Sequence, residues 1–185
     1  VDIYLKNQIL VDASLYSKKF YGSRIYTDYY FNNFNVSDDF VIYQKPVEKR
    51  NINKIKFGRN SGLCEYSVLS AYKQNLIKNF KNPNVLNLFN FNKKFTKPSI
   101  ERINSISCRI GDGHTRNTIR FQRKEINKKI KVFKKTNKIS RYSYFKELSN
   151  SKVVISPFGW GEISLRDFEV FLTGGLLFKP RMDHL

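Results

Sequence analysis

Residues 156–180, SPFGWGEISLRDFEVFLTGGLLFKP, set Glu162, Arg166, Glu169 and Thr173 at helical spacing. At about 100° per residue these four side chains share a stripe roughly 60° wide. Leu165, Phe168 and Leu172 border it on one flank and Ile163 and Val170 on the other, so the charges are expected to be half-buried. Half-buried charges persist when they pair with one another or serve a ligand. One reading is a structural Arg166–Glu169 pair. The other is a polar ligand, because Gly159 and Gly161 in the preceding loop let the backbone approach closely and the first N–H groups of a helix can receive an anion. Glu162 at that point works against a phosphate and favours hydroxyls, whose protons a carboxylate accepts. Ribose and sugar rings supply such hydroxyls, and Trp160 offers either an aromatic face to them or a core residue.

A second constellation is GDGHT, residues 111–115, followed by Arg116, Arg120 and Arg123 at i, i+4 and i+7. Thr115 is the expected N-cap of that helix. For Arg120 and Arg123 the alternative is a solvated basic face. Spacing identifies no catalytic base; His114 is the candidate, as a general base or a phosphate contact, since imidazole titrates near neutrality. The Gly111-Asp112-Gly113 run lacks the third glycine of the dinucleotide fingerprint. The metal-dependent Asp-x-Asp motif, a Walker loop and a Gly-x-Ser-x-Gly elbow do not occur, which removes several enzyme classes.

These loops need elements to hold them. Beyond residue 98 the pattern predicts strand 105–110, helix 116–129, strand 130–133, helix 142–151, strand 152–157, helix 163–175 and strand 176–180. Strands alternating with helices predict an α/β fold, a mostly parallel sheet covered on both faces. Ligands of such sheets bind beyond the carboxyl ends of the strands, where both loops emerge. Upstream, residues 1–30 predict a helix followed by an aromatic-rich loop, residues 40–43 a short strand, and residues 67–80 a helix capped by Ser67. Residues 81–98, with proline at both ends and many asparagines, read as a linker.

The chain has 185 residues, 41% of them hydrophobic, enough for a sizeable core. Its formal charge of +19 is uneven: residues 51–150 hold 23 Lys and Arg against five Asp and Glu, while residues 151–185 hold four of each. Genome nucleotide bias alone would enrich Lys together with Asn, Ile, Tyr and Phe; the remaining charge suits an anionic ligand, an anionic membrane surface or RNA. Cys64 and Cys108 have no neighbouring cysteine or histidine pair, which argues against a zinc cage or disulfide framework and for a reducing, cytoplasmic compartment. No run of about 18 apolar residues and no signal peptide is visible. Both ends read as those of a fragment.

SLRDFEVFLTGGLLF resembles the Ser-x-Arg-x-x-Glu-Ala-x-x-x-Gly pattern of exostosin-type glycosyltransferases, through Ser164, Arg166, Glu169 and Gly174, with Val170 in place of alanine. GWGE followed by EVFLTG is similar to the glycine-rich loop and Glu-Ala-Met-Ala-x-Gly of many nucleotide-sugar enzymes. The specific likeness spans residues 151–185, and a looser one reaches back to residue 103. It implies a Rossmann-like, type B glycosyltransferase architecture, incomplete at the C-terminus. Residues 1–95 would be a partial acceptor-side region with its linker, and residues 96–185 a truncated donor-binding domain. It further implies that Gly159, Gly161, Glu162, Ser164, Arg166 and Glu169 hold the donor, with Glu169 on its ribose. Arg109 and Arg116 would neutralise the departing diphosphate in place of a metal.

The expected activity is metal-independent transfer of a sugar from a nucleotide-sugar donor, itself the substrate with no further cofactor, to a glycan or lipid-linked acceptor, with peripheral membrane contact open. A degenerate transferase that binds without turnover stays possible. The competing reading is a nucleic-acid-binding module in residues 51–150 with aromatics for stacking. It leaves the neutral block around Glu162, Arg166 and Glu169 unexplained, so no nucleic acid is expected.

Overall fold

The computed structural model describes residues 2–58, 75, 95–130, 136–159, 161–181 and 183. The expected helix at 67–80 apart from residue 75, the strand at 130–133 beyond Ile130, most of the 81–98 linker, Cys64 and Trp160 lie outside them. The described elements form a mixed α/β structure with parallel sheets flanked by helices, compatible with a Rossmann-like fold.

The N-terminal region pairs β1 (Tyr4–Lys6) with β2 (Ile55–Phe57) in parallel, Tyr4 beside Ile55 and Lys6 beside Phe57. Between them run short 3-10 turns, Ala13–Ser17, Tyr21–Ser23 and Lys49–Lys54, and one helix, α1 (Ile25–Phe34). This reverses the expectation of a helix followed by an aromatic-rich loop. Asp12 caps only a 3-10 turn, through Ser14 N–H. The aromatic segment is the helical one because its rings have a partner: Tyr30 and Phe34 pack on Phe121 with centroids 5.8 and 5.1 Å away. Asn35, in the left-handed region at φ 52°, ends it. Residues 40–43 do not form the expected strand. Their backbone is held by a side chain instead: the Ser23 hydroxyl donates to the Ile42 carbonyl at 3.4 Å and accepts from Gln44 N–H at 2.5 Å.

The second sheet has the order β3 (Asn104–Ser107), β4 (Ser151–Ile155), β5 (Leu176–Phe178), all parallel, with Ile106 beside Val153 and Ile155 beside Phe178. Alternation along the strands sends side chains to two cores. On one face Ile106 and Ile155, with Cys108 and Ile110 from the chain just past β3, pack on Ile126 and Ile130 of α2 (Asn117–Ile130). On the other, Val154 and Leu177 meet Leu148 and Tyr144 of α3 (Arg141–Ser149) and Val170 of α4 (Leu165–Leu172).

Helix α4 begins later than expected. Ser164 is its N-cap and Asp167 completes a capping box, the carboxylate taking Ser164 N–H at 2.8 Å. Glu162 therefore precedes the helix, and the charged stripe starts at Arg166. The helix ends at Gly174, whose φ of +67° favours glycine and whose Cβ, if present, would lie 2.3 Å from the Thr96 carbonyl oxygen. Arg102, buried, ties this corner together through the carbonyls of Thr173 (2.6 Å), Ser151 (2.9 Å) and Lys97 (3.1 Å).

Several contacts join the described N-terminal residues to the second sheet and its helices. The rings of α1 lie on α2, Gln8 Nε2 donates to the Ile163 carbonyl at 3.0 Å, and Asp38 reaches the start of α2. Among the described residues no helix is long and apolar enough to cross a membrane.

Candidate functional site

An open cleft of about 1370 Å³ lies where the N-terminal region meets the loops that follow β3 and β4. Most of its lining comes from residues 4–55, and the loops at the carboxyl ends of the second sheet's strands contribute Arg116, Gly161 and Glu162. Lys6 of β1, Arg24 at the N-cap of α1, and Tyr26 of α1 line it from one region; Arg116, Gly161 and Glu162 line it from the other. Its lining residues include seven Lys or Arg (Lys6, Lys18, Lys19, Arg24, Lys45, Lys54 and Arg116) and one carboxylate, Glu162. The cleft is thus strongly cationic.

Burial marks the side chains of the cleft. Burial, and then the nearby Arg24 guanidinium, hold the Lys6 ammonium below its ordinary pKa of 10.5. Lys6 Nζ rests 5.3 Å from the centroid of the Tyr16 ring. The Tyr26 phenol, 7% exposed, is pushed up to about 12, chiefly by burial.

The structure brings Arg116, Gly161 and Glu162 to this cleft. Arg116 Nη1 donates to the Gly22 carbonyl at 3.2 Å. A Cβ at Gly161 would meet Gln8 Oε1 at 2.8 Å, the far end of a flexible side chain that would have to shift. At Gly111, Gly113 and Gly159 a Cβ would meet nothing within 4 Å among the described residues, so these loops have open space beside them.

The start of α2 is organised differently from the expectation. Thr115 is replaced as the cap by Asp38, 80 residues upstream, whose Oδ1 accepts from Thr118 N–H at 2.8 Å and from the Thr118 hydroxyl at 3.0 Å. Asn117 Nδ2 adds a bond to Asp39 Oδ1 at 2.8 Å. A carboxylate already sits on this helix terminus, so it is not an open phosphate seat.

Arg109, Ser164, Arg166 and Glu169 do not line the cleft; they form a network at the end of β3 and the start of α4. Arg109 makes a bidentate pair with Glu147, donating from Nε to Oε1 at 3.0 Å and from Nη2 to Oε2 at 2.5 Å, and also bonds Asn137. Arg166 Nη2 donates to the Arg109 carbonyl at 2.8 Å. Glu169 accepts from the Tyr144 hydroxyl at 3.0 Å and faces Arg141 at 3.6 Å, so its partners replace the simple Arg166–Glu169 pair. Burial raises its pKa above the ordinary 4.5, opposed by the Tyr144 hydrogen bond and the two arginines. Cys108, next to Arg109, is 1% exposed, and burial pushes its thiol up to about 11.

The arginine stripe of α2 is not a solvated face. Arg120 donates to the His114 carbonyl at 2.8 Å and Arg123 to the Gly111 carbonyl at 3.2 Å. With Asn127 on the Ile110 carbonyl at 3.1 Å and Arg166 on that of Arg109, three consecutive carbonyls of the 108–112 turn are each held by a side chain. His114 Nδ1 accepts from Arg116 N–H at 3.1 Å. Burial, then Arg123 and Arg116, hold its pKa below 6.5.

Several residues here are invisible to motif reading. Asp167, 3% exposed, pairs with Lys179 at 2.8 Å and accepts from Ser156 at 2.7 Å. The Ser-x-x-Asp spacing ahead of an apolar run was the available signal for it. Lys6, Arg24 and Asp38 carried none, since each acts across a long separation. Among the described residues no group of three or more His, Cys, Asp or Glu could hold a metal ion. No family model, no curated protein and no solved structure matches the chain.

Proposed function

We propose that this chain is the donor-binding part of a type B, metal-independent glycosyltransferase that moves a sugar from a nucleotide-sugar donor to a glycan or lipid-linked acceptor on the cytoplasmic side. The observation that carries the reading is the cationic cleft at the strand-end loops, which gathers Arg116, Gly161 and Glu162 against Lys6 and Arg24. Glycosyl transfer releases a nucleoside diphosphate, and fixed cations facing the departing oxygens stabilise the charge that develops there. Glu162 lines the cleft and Glu169 does not, so ribose or sugar recognition is assigned to Glu162 in preference to Glu169. The arginines of the basic middle segment that bind loop carbonyls or Glu147 are spent internally, which weakens a nucleic-acid reading.

Thermal unfolding with UDP, GDP, CMP and single-stranded RNA in turn tests this. One nucleoside diphosphate at about 100 times its Kd stabilises by about 2.7 kcal/mol. Glu162→Gln reduces that shift and Glu169→Gln leaves it in place. A shift with RNA and with none of the nucleotides overturns the proposal.

A further inference from the structure

Three tyrosine hydroxyls of the N-terminal region are engaged: Tyr16 accepts from Leu10 N–H at 2.9 Å, Tyr21 from Asp38 N–H at 2.6 Å and Tyr30 from Gln122 Nε2 at 2.6 Å. Tyr26 of α1 differs. It is 7% exposed, it packs with Ile119 and Phe158, and its hydroxyl oxygen is buried with no hydrogen-bond partner among the described residues. A buried polar group without a partner keeps its full desolvation cost, which a phenylalanine at the same place would not carry. The contacts of the ring with Ile119 and Phe158 do not call for the oxygen. Tyr26 is, however, part of the lining of the cleft. The charges that act on its phenol are those of Arg24 and Arg116, opposed by Asp38, and Asp38 already accepts from the N–H and hydroxyl of Thr118. A hydroxyl in such positive surroundings lacks an acceptor, and the acceptor those surroundings favour is an anionic oxygen.

We propose that the Tyr26 hydroxyl is kept for the ligand of the cleft and donates a hydrogen bond to an oxygen of the donor's diphosphate. The proposal rests on the donor reading above and adds to it a binding residue that neither motif nor spacing marks. The ligand uncovers the hydroxyl by displacing side chains around it and brings the acceptor it lacks. The bound state thereby makes a charge-assisted hydrogen bond where the ligand-free chain carries an unpaired polar atom, so one oxygen weakens the fold and strengthens the complex.

Two measurements on the full chain and on Tyr26→Phe decide it, since that substitution removes the oxygen and keeps the ring. In urea unfolding of the ligand-free proteins the variant's midpoint is expected at or above the parent's. In calorimetric titration with UDP, GDP and inorganic pyrophosphate, the nucleoside diphosphate that binds and pyrophosphate are each expected to bind Tyr26→Phe about tenfold more weakly or worse, a loss of about 1.4 kcal/mol. A lowered midpoint in the ligand-free variant shows that the hydroxyl serves the fold and overturns the proposal. Nucleotide affinity within about threefold of the parent's also overturns it and leaves the donor reading intact. A weakened nucleotide beside unaffected pyrophosphate overturns it too, because the contact then lies off the diphosphate. Pyrophosphate binding that Tyr26→Phe weakens, with neither nucleotide bound, upholds the anion contact and overturns the donor reading. Binding of none of the three probes overturns both.

Discussion

Replacing Asp38 by alanine removes the cap of a helix 80 residues away. The carboxylate is 8% exposed, and its bonds go to the N–H and hydroxyl of Thr118, a residue with no exposure at all. Loss of an N-cap costs about 1 kcal/mol. Thr118 N–H is then left buried without an acceptor, at about 1–3 kcal/mol, while its hydroxyl can rotate to a helix carbonyl. Both figures describe the same lost N–H bond, so the loss is about 2 kcal/mol, a large share of the roughly 5–15 kcal/mol that holds a domain together. Asp38→Asn keeps one oxygen for Thr118 N–H and loses only the charge, so about 1 kcal/mol is expected. Urea unfolding followed by circular dichroism measures both, with the slope against denaturant unchanged and only the midpoint moved. If Asp38→Ala stays within about 0.5 kcal/mol of the parent, or if Ala and Asn are equally destabilised, the capping account is wrong.

Three further outcomes are expected. Gly174→Ala forces a left-handed conformation on a residue with a Cβ, at about 1–2 kcal/mol, and drives that carbon to 2.3 Å from the Thr96 carbonyl oxygen; a total loss above about 2 kcal/mol should appear in the same unfolding assay. Lys179→Met strands Asp167 in a site where both side chains are 4% exposed, costing about 3–5 kcal/mol, and adding Asp167→Asn should recover part of it. Stability against pH should carry two opposed slopes. Glu169, its pKa raised by burial, makes stability fall as pH rises from 4.5 through its folded value, and Glu169→Gln removes that slope. His114, its pKa lowered by burial, makes stability fall as pH drops below 6.5, and His114→Gln removes that one.

The second sheet was legible because its information is local. KVVIS alternates into two cores, and the spacing of Ile119, Ile126 and Ile130 marks the buried side of α2; neither depends on distant sequence. The start of α4 was missed because the apolar period runs back through Ile163, while the box made by Ser164 and Asp167 stops the helix there. In the N-terminal region the period is weak, and structure comes from partners outside it: Phe121 gives α1 a surface to lie on. The site divided in the same way. Glu162 and Arg116 were legible from loop position, whereas Lys6 stands on β1, which pairs with a strand about 50 residues on, and Arg24 stands at the start of α1, which lies on Phe121. Arg109 looked available for a phosphate because nothing in the spacing reveals Glu147, 38 residues away, as its partner.

The Gln8–Ile163 hydrogen bond spans 155 residues, and that span is also a time. At about 5–20 residues per second on the ribosome, roughly 8–30 s separate the emergence of its two ends. The cationic wall of residues 6–54 is made early in that interval, and Thr118, Gly161 and Glu162 arrive late. During synthesis the lysines and arginines of the wall therefore exist before Phe121, on which α1 lies, and before the loops that complete the cleft.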